Sequence, residues 1–113
     1  MTTVTIGISS VEETKGRMLH AFHGDKQGAF ISFASPELLW KVITPKRLEL
    51  LRALTGAGPI SIREIARRVG RDVKSVYGDV QALLKAGILD RAEDGHIRLP
   101  YDEIHVDFVL RAA

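Results

Sequence analysis

SIREIARRVGRDVKSVYGDVQALLKAG, running from Ser61 to Gly87, decides how the rest of the chain is read. Ser61 and Glu64 stand three apart at the head of an apolar periodic run, the spacing of a capping box in which each side chain satisfies the other's free backbone N–H. Ile62, Ile65, Ala66 and Val69 follow on one face at helical spacing. Gly70 stops this helix, because glycine enters the left-handed cap at little steric cost. Asp72 caps a second helix. Its expected buried stripe is Val73, Val76, Val80, Leu83 and Leu84, and Gly87 ends it. Two helices joined by a tight glycine turn predict a helix–turn–helix.

The outward face of the second helix points to function. At about 100° per residue, Lys74, Ser75, Gly78, Gln81 and Lys85 fall opposite the stripe. This face is small and polar toward its N-terminus, where a core-filling helix normally carries long solvated charges. Arg63, Arg67, Arg68 and Arg71 crowd the preceding helix and the turn. A recognition helix enters the major groove by its N-terminal half, while the helix and turn before it contact phosphates. The bland alternative is a basic solvated face on a small α domain. Arg68, Arg71 and Lys74 are the expected phosphate contacts. Ser75, Tyr77 and Gln81 are the expected base readers, with Tyr77 half buried as the alternative.

A hairpin is predicted next. Ile88–Arg91 and His96–Leu99 flank Asp94-Gly95, a two-residue turn signal. Helix–turn–helix followed by a hairpin is the winged-helix order. His96 and Arg98 are candidates for backbone contacts from the wing, whereas Glu93 and Asp94 at its tip would repel phosphate.

On Ile65-Ala66, Gly70, Ser75-Val76, Asp79-Val80, Leu83 and Gly87-Ile88-Leu89, the chain resembles the MarR-like and ArsR-like winged-helix transcriptional regulators. Longer strings, Thr44–Leu51, Arg71–Val76, Asp79–Leu83 and Tyr101–Phe108, are similar to a group of small prokaryotic DNA-binding proteins. Many of that group are taken to be antitoxins or regulators encoded beside a toxin. The resemblance implies a DNA-binding repressor, or an antitoxin that neutralises a toxin protein and autoregulates its operon. Gly78 departs from the pattern, since such helices often carry a polar or basic side chain there.

Charge agrees with this reading. Residues 44–99 hold eleven Lys/Arg against seven Asp/Glu, a local +4 within a chain of net +2. The positive field therefore falls on the segment expected to meet phosphate.

The flanks predict a small sheet. Thr3–Ser9 alternates as a half-buried strand. Ser10 and Glu13 form a second capping box opening a helix to about Phe22, with Val11, Met18 and Phe22 on one face. Residues 24–28 form a loop, and Ala29–Ala34 a second strand. Ser35-Pro36 opens a short helix to Ile43, and Thr44-Pro45 opens another carrying Leu48, Leu51 and Leu54. Ile104–Leu110 is a further strand, too apolar to be left as a lone edge. Packing it with the two N-terminal strands, either within the chain or at a homodimer interface, satisfies it. The expected class is α+β: residues 1–43 a strand–helix–strand arm with a short helix, 44–100 a winged helix–turn–helix, and 101–113 a strand joining the sheet or the dimer. Trp40 and Phe30 read as core.

Other functions find less support. The 113 residues suit one small domain. The chain has no cysteine, hence no disulfide framework, which suits a cytoplasmic protein. No apolar run is long enough to span a membrane, and Met1-Thr-Thr-Val lacks a charged secretory leader. His20 and His23 could share a metal on one helix turn, but no third ligand is fixed nearby. No catalytic constellation, cofactor loop or metal set is legible. Three classes remain: a dimeric repressor of double-stranded DNA, an antitoxin, and an interaction protein that reuses the winged helix for protein or RNA.

Overall fold

The computed structural model describes residues 2–8 and 29–109. The helix expected over 10–22, with His20 and His23, lies outside the described residues, as does Leu110. The described elements are, in chain order, β1 (Thr3–Ile8), β2 (Ala29–Phe33), α1 (Pro36–Val42), α2 (Pro45–Leu54), α3 (Ile62–Val69), α4 (Val73–Lys85), β3 (Asp90–Arg91), β4 (Ile97–Arg98) and β5 (Glu103–Asp107). The class is α+β.

Each helix starts on a short polar side chain. Ser35 accepts from the Leu38 N–H at 3.2 Å, Thr44 from Arg47 at 3.2 Å, Ser61 from Glu64 at 3.1 Å and Asp72 from Ser75 at 2.9 Å. These bonds satisfy donors that a helix start leaves free. The capping box at Ser61 forms only by half. The Glu64 carboxylate turns to the Arg67 guanidinium instead, because a charged partner one turn away outcompetes a neutral amide.

Gly70 takes φ 69°, ψ 36°, and the Arg71 N–H reaches back to the Ala66 carbonyl at 3.1 Å. Gly87 repeats this at φ 81°, with the Ile88 N–H on the Leu83 carbonyl at 3.0 Å. Both are left-handed caps of the Schellman type. The second one drops Ile88 and Leu89 into the core rather than into a hairpin strand.

Three parallel strands form the sheet in the order β2-β1-β5. β5 therefore pairs with β1 of its own chain. The Thr2 N–H donates to the Asp102 carboxylate at 2.8 Å and the Asp102 N–H to the Thr2 carbonyl at 2.8 Å, which sets the register. Gly7 is buried where a side chain has no room: a Cβ there would lie 2.9 Å from the Asp107 carbonyl oxygen and 3.3 Å from the Phe30 ring. Val4 and Ile6 point into the same core as Leu39, Leu50, Leu54, Ile65, Val80 and Leu83.

Several expected core positions are corrected. Leu48 is exposed, and Leu50 takes its place beside Leu51 and Leu54. Val73 is 46% exposed because it begins α4 beyond the packed region. Trp40 is half exposed, its ring edge-on to Phe108 at 5.6 Å. Phe30 is only half buried. β5 stays an edge with Val106 exposed.

The hairpin also differs from expectation. Ala92 donates to the His96 carbonyl at 2.8 Å and Gly95 to the Ala92 carbonyl at 2.9 Å. Only Gly95 has positive φ, so the connection is the three-residue Glu93-Asp94-Gly95 loop rather than a two-residue Asp-Gly turn. A third segment joins it. Ile60, just before α3, exchanges two backbone hydrogen bonds with Ile97 at 2.8 and 2.9 Å.

Candidate functional site

α4 is gripped from behind. Val76, Val80 and Leu83 are fully buried against the core. Beside them Asp79 joins two arginines from other elements: Arg47 Nε donates to its carboxylate at 2.9 Å, and the Arg71 guanidinium pairs with it at 2.8 Å. Arg47 also donates to the Lys41 and Val42 carbonyls at 3.2 and 2.9 Å, which closes the end of α1. All three charged side chains are at most 20% exposed. Burial pushes the Asp79 pKa up, but the hydrogen bonds and charges of Arg47 and Arg71 outweigh it and hold the carboxyl below its ordinary value. One carboxylate thus fixes α4 to α1, α2 and the turn.

The front of α4 is open over its N-terminal half. Val73, Lys74, Ser75, Tyr77 and Gly78 are all exposed, Tyr77 by 52%. A Cβ at Gly78 would meet nothing within 4 Å. The Ser75 hydroxyl donates to Asp72 at 2.8 Å, so it belongs partly to the cap. Asp72 is held below the usual carboxylate range by the Ser75 backbone and hydroxyl hydrogen bonds.

The candidate cations divide into three groups. Among the described residues, Arg63, Lys74 and Lys85 are exposed and pair with no carboxylate. Arg67 and Arg68 are exposed but lean on Glu64, with an Arg67 hydrogen bond at 3.0 Å and an Arg68 approach of 3.9 Å. The Arg67 hydrogen bond lowers the Glu64 pKa, and Glu64 in turn raises that of Arg67. Arg71 is turned inward to Asp79, so its guanidinium braces the frame. Gln81 is partly buried and its amide nitrogen has no protein acceptor.

Arg98 and His96 of the hairpin each lie against an acid of the same hairpin. Arg98 pairs with Asp90 at 2.6 Å, which raises its pKa further, and His96 Nδ1 lies 3.2 Å from Asp94. Arg91 is exposed and, among the described residues, donates only to the Gly95 carbonyl at 3.4 Å.

Sequence reasoning missed the Arg47–Asp79 contact that holds α4 and the exposed Arg91, which meets no acid among the described residues. The 32 residues between Arg47 and Asp79 hide their contact. Arg91 had a usable signal, a lone cation on the hairpin strand nearest the end of α4. Among the described residues no group of His, Cys, Asp or Glu could hold a metal ion. No described helix is long and apolar enough to cross a membrane.

No curated protein matches the chain. The family model HVO_A0114 matches residues 42–106, which takes in all of α2, α3, α4 and the hairpin and most of β5. That is more than half of the 113 residues, and the chain belongs to this HVO_A0114 family.

Proposed function

We propose that the protein is a sequence-specific regulator that binds double-stranded DNA as a winged helix, with α3 and α4 as the helix–turn–helix and β3–β4 as the wing. The observation that carries this reading is the N-terminal half of α4. It is anchored by Asp79 on one side and exposes Val73, Lys74, Ser75, Tyr77 and Gly78 on the other. An open helix end of this kind fits the major groove. Lys74, Arg63 and Arg68 supply phosphate contacts. Tyr77 and Ser75 face base edges, and Val73 offers an apolar contact for a thymine methyl. With Asp90 pairing Arg98 and with Glu93 and Asp94 at its tip, the wing contributes less positive charge than the helices. The regulator acts as a homodimer on paired half-sites and represses transcription.

The test is binding of the full chain to duplexes tiled across the DNA upstream of its own gene, against duplexes of arbitrary sequence, over a range of salt. The expected result is one tile bound about a thousandfold more tightly than arbitrary DNA, with affinity falling steeply with salt. Equal binding to every tile, or no salt dependence, overturns the reading.

A further inference from the structure

The C-terminal half of α4 and strand β3 border a notch of about 510 Å³, lined by Gln81, Ala82, Leu84, Lys85 and Arg91. It is a shallow, open notch on the surface and not an enclosed cavity. Donor-bearing side chains line it from both elements. Lys85 is exposed and pairs with no carboxylate among the described residues. Arg91 has only the Gly95 carbonyl, at the long distance of 3.4 Å. The Gln81 amide nitrogen is buried without a protein acceptor.

Among the described residues, no acid lines the notch. Of the carboxylates next to Arg91 in sequence, Asp90 is held by Arg98 and Asp94 by the His96 backbone and ring, while Glu93 is exposed on the far side of Arg91, where both line the neighbouring hollow of the hairpin. What remains is two cations and one amide N–H beside a wall made by Ala82 and Leu84. The Gln81 amide nitrogen lacks an acceptor and is closed off from solvent, so it meets an arriving oxyanion only when its side chain turns outward. Donors on three separate side chains suit a group with three or more acceptor oxygens better than a carboxylate with two.

The geometry points to a phosphate-binding site between α4 and β3, with the wall taking the sugar or other body that carries the phosphate. Two carriers offer this chemistry: the deoxyribose-phosphate backbone of a DNA strand, and a free phosphorylated molecule. The site removes Gln81 and Lys85 from the base-reading face and joins them to Arg91. It stands whether or not the front of α4 reads DNA.

The experiment is a nuclear magnetic resonance titration of the full, isotope-labelled chain, first with inorganic phosphate and then with a short duplex. Phosphate is expected to move the Gln81 side-chain amide and the Arg91 Nε–H signals. The Lys85→Gln, Arg91→Gln double variant is expected to weaken phosphate binding about tenfold, as loss of two exposed charge-assisted contacts implies. If the duplex moves the same signals and phosphate competes with it, the carrier is the DNA backbone. If the duplex moves only Lys74, Ser75 and Tyr77 while phosphate stays bound, the carrier is a free molecule. Gln81 and Arg91 signals that respond to neither ligand overturn the site, as does a double variant that binds phosphate like the parent. A duplex that leaves Lys74, Ser75 and Tyr77 unmoved counts against DNA reading alone.

Discussion

Replacing Asp79 with alanine removes the one carboxylate that α4 shares with Arg47 and Arg71. Each hydrogen bond to a charged group contributes about 1.5–3 kcal/mol, and breaking a fully buried ion pair costs about 3–5 kcal/mol. The pair here is partly open to water, with side-chain exposures of 16–20%, which lowers the figure. Arg47 also keeps its Lys41 and Val42 carbonyls. Arg71 is left with no carboxylate, and one of its guanidinium nitrogens is already buried without a partner. The expected loss is about 2–3 kcal/mol, or a melting temperature lower by about 10 °C. Asp79→Asn retains an acceptor for Arg47 and should lose about half as much. The pH dependence has a definite sign. The folded pKa of Asp79 is depressed, so its contribution is complete above the ordinary value of 3.8 and fades as pH falls through the lower folded value. Urea unfolding followed by circular dichroism should therefore show a parent–Asp79→Asn gap at neutral pH that narrows as pH falls below the ordinary value of 3.8. A gap that stays constant with pH, or an Asp79→Ala variant within about 0.5 kcal/mol of the parent, refutes this account of the anchor.

Lys74→Ala should lower the salt slope of duplex binding by about one and leave stability unchanged, whereas Arg71→Ala should lose stability in urea with the slope intact. Gly78→Ala should raise stability by about 1 kcal/mol in calorimetry, since the added methyl meets open space and helix propensity improves. Gly78→Leu should fold equally well but lose duplex affinity in a gel-shift assay, and undiminished affinity would show that this position is merely exposed. Gly7→Ala should destabilise by about 1–3 kcal/mol, because its methyl meets the Asp107 carbonyl at 2.9 Å in a sheet with no slack.

Local chemistry was the legible part of the fold. Ser35, Thr44, Ser61 and Asp72 announce helix starts, and Gly70 and Gly87 announce ends, because these signals depend on neighbours within a few residues. Face assignment was less secure. In α2, Leu48, Leu50, Leu51 and Leu54 fit two overlapping stripes, and tertiary packing selected the one with Leu50. Val73 matched the stripe of α4 by angle, yet lies past the end of the surface that covers it. The Ile60–Ile97 bridge is a single pairing, too short to leave any alternation in sequence. At the candidate site, the exposed Lys74, Ser75 and Gly78 followed from helical angle alone, whereas Tyr77 lies by angle beside the Val73 edge of the stripe and its exposure did not. The inward turn of Arg71 did not, because it depends on Asp79 and on how two helices cross.

The sheet order has a consequence for how the chain acquires its shape during synthesis. β1 is made early and takes the central place, but one of its two partners, β5, lies about 100 residues downstream. The α2–α4 segment, by contrast, closes through short-range contacts between consecutive helices. Local contacts form fast and distant parallel pairings slowly. Val4 and Ile6 must therefore remain without one flanking strand while the helices behind them are already packed. Pulse-labelled hydrogen exchange should find the amides of α3 and α4 protected before those of β1, and simultaneous protection would contradict this order. Until β5 is made, the chain would carry a finished helical unit beside an apolar strand paired on one side only, the stage at which it most needs a chaperone.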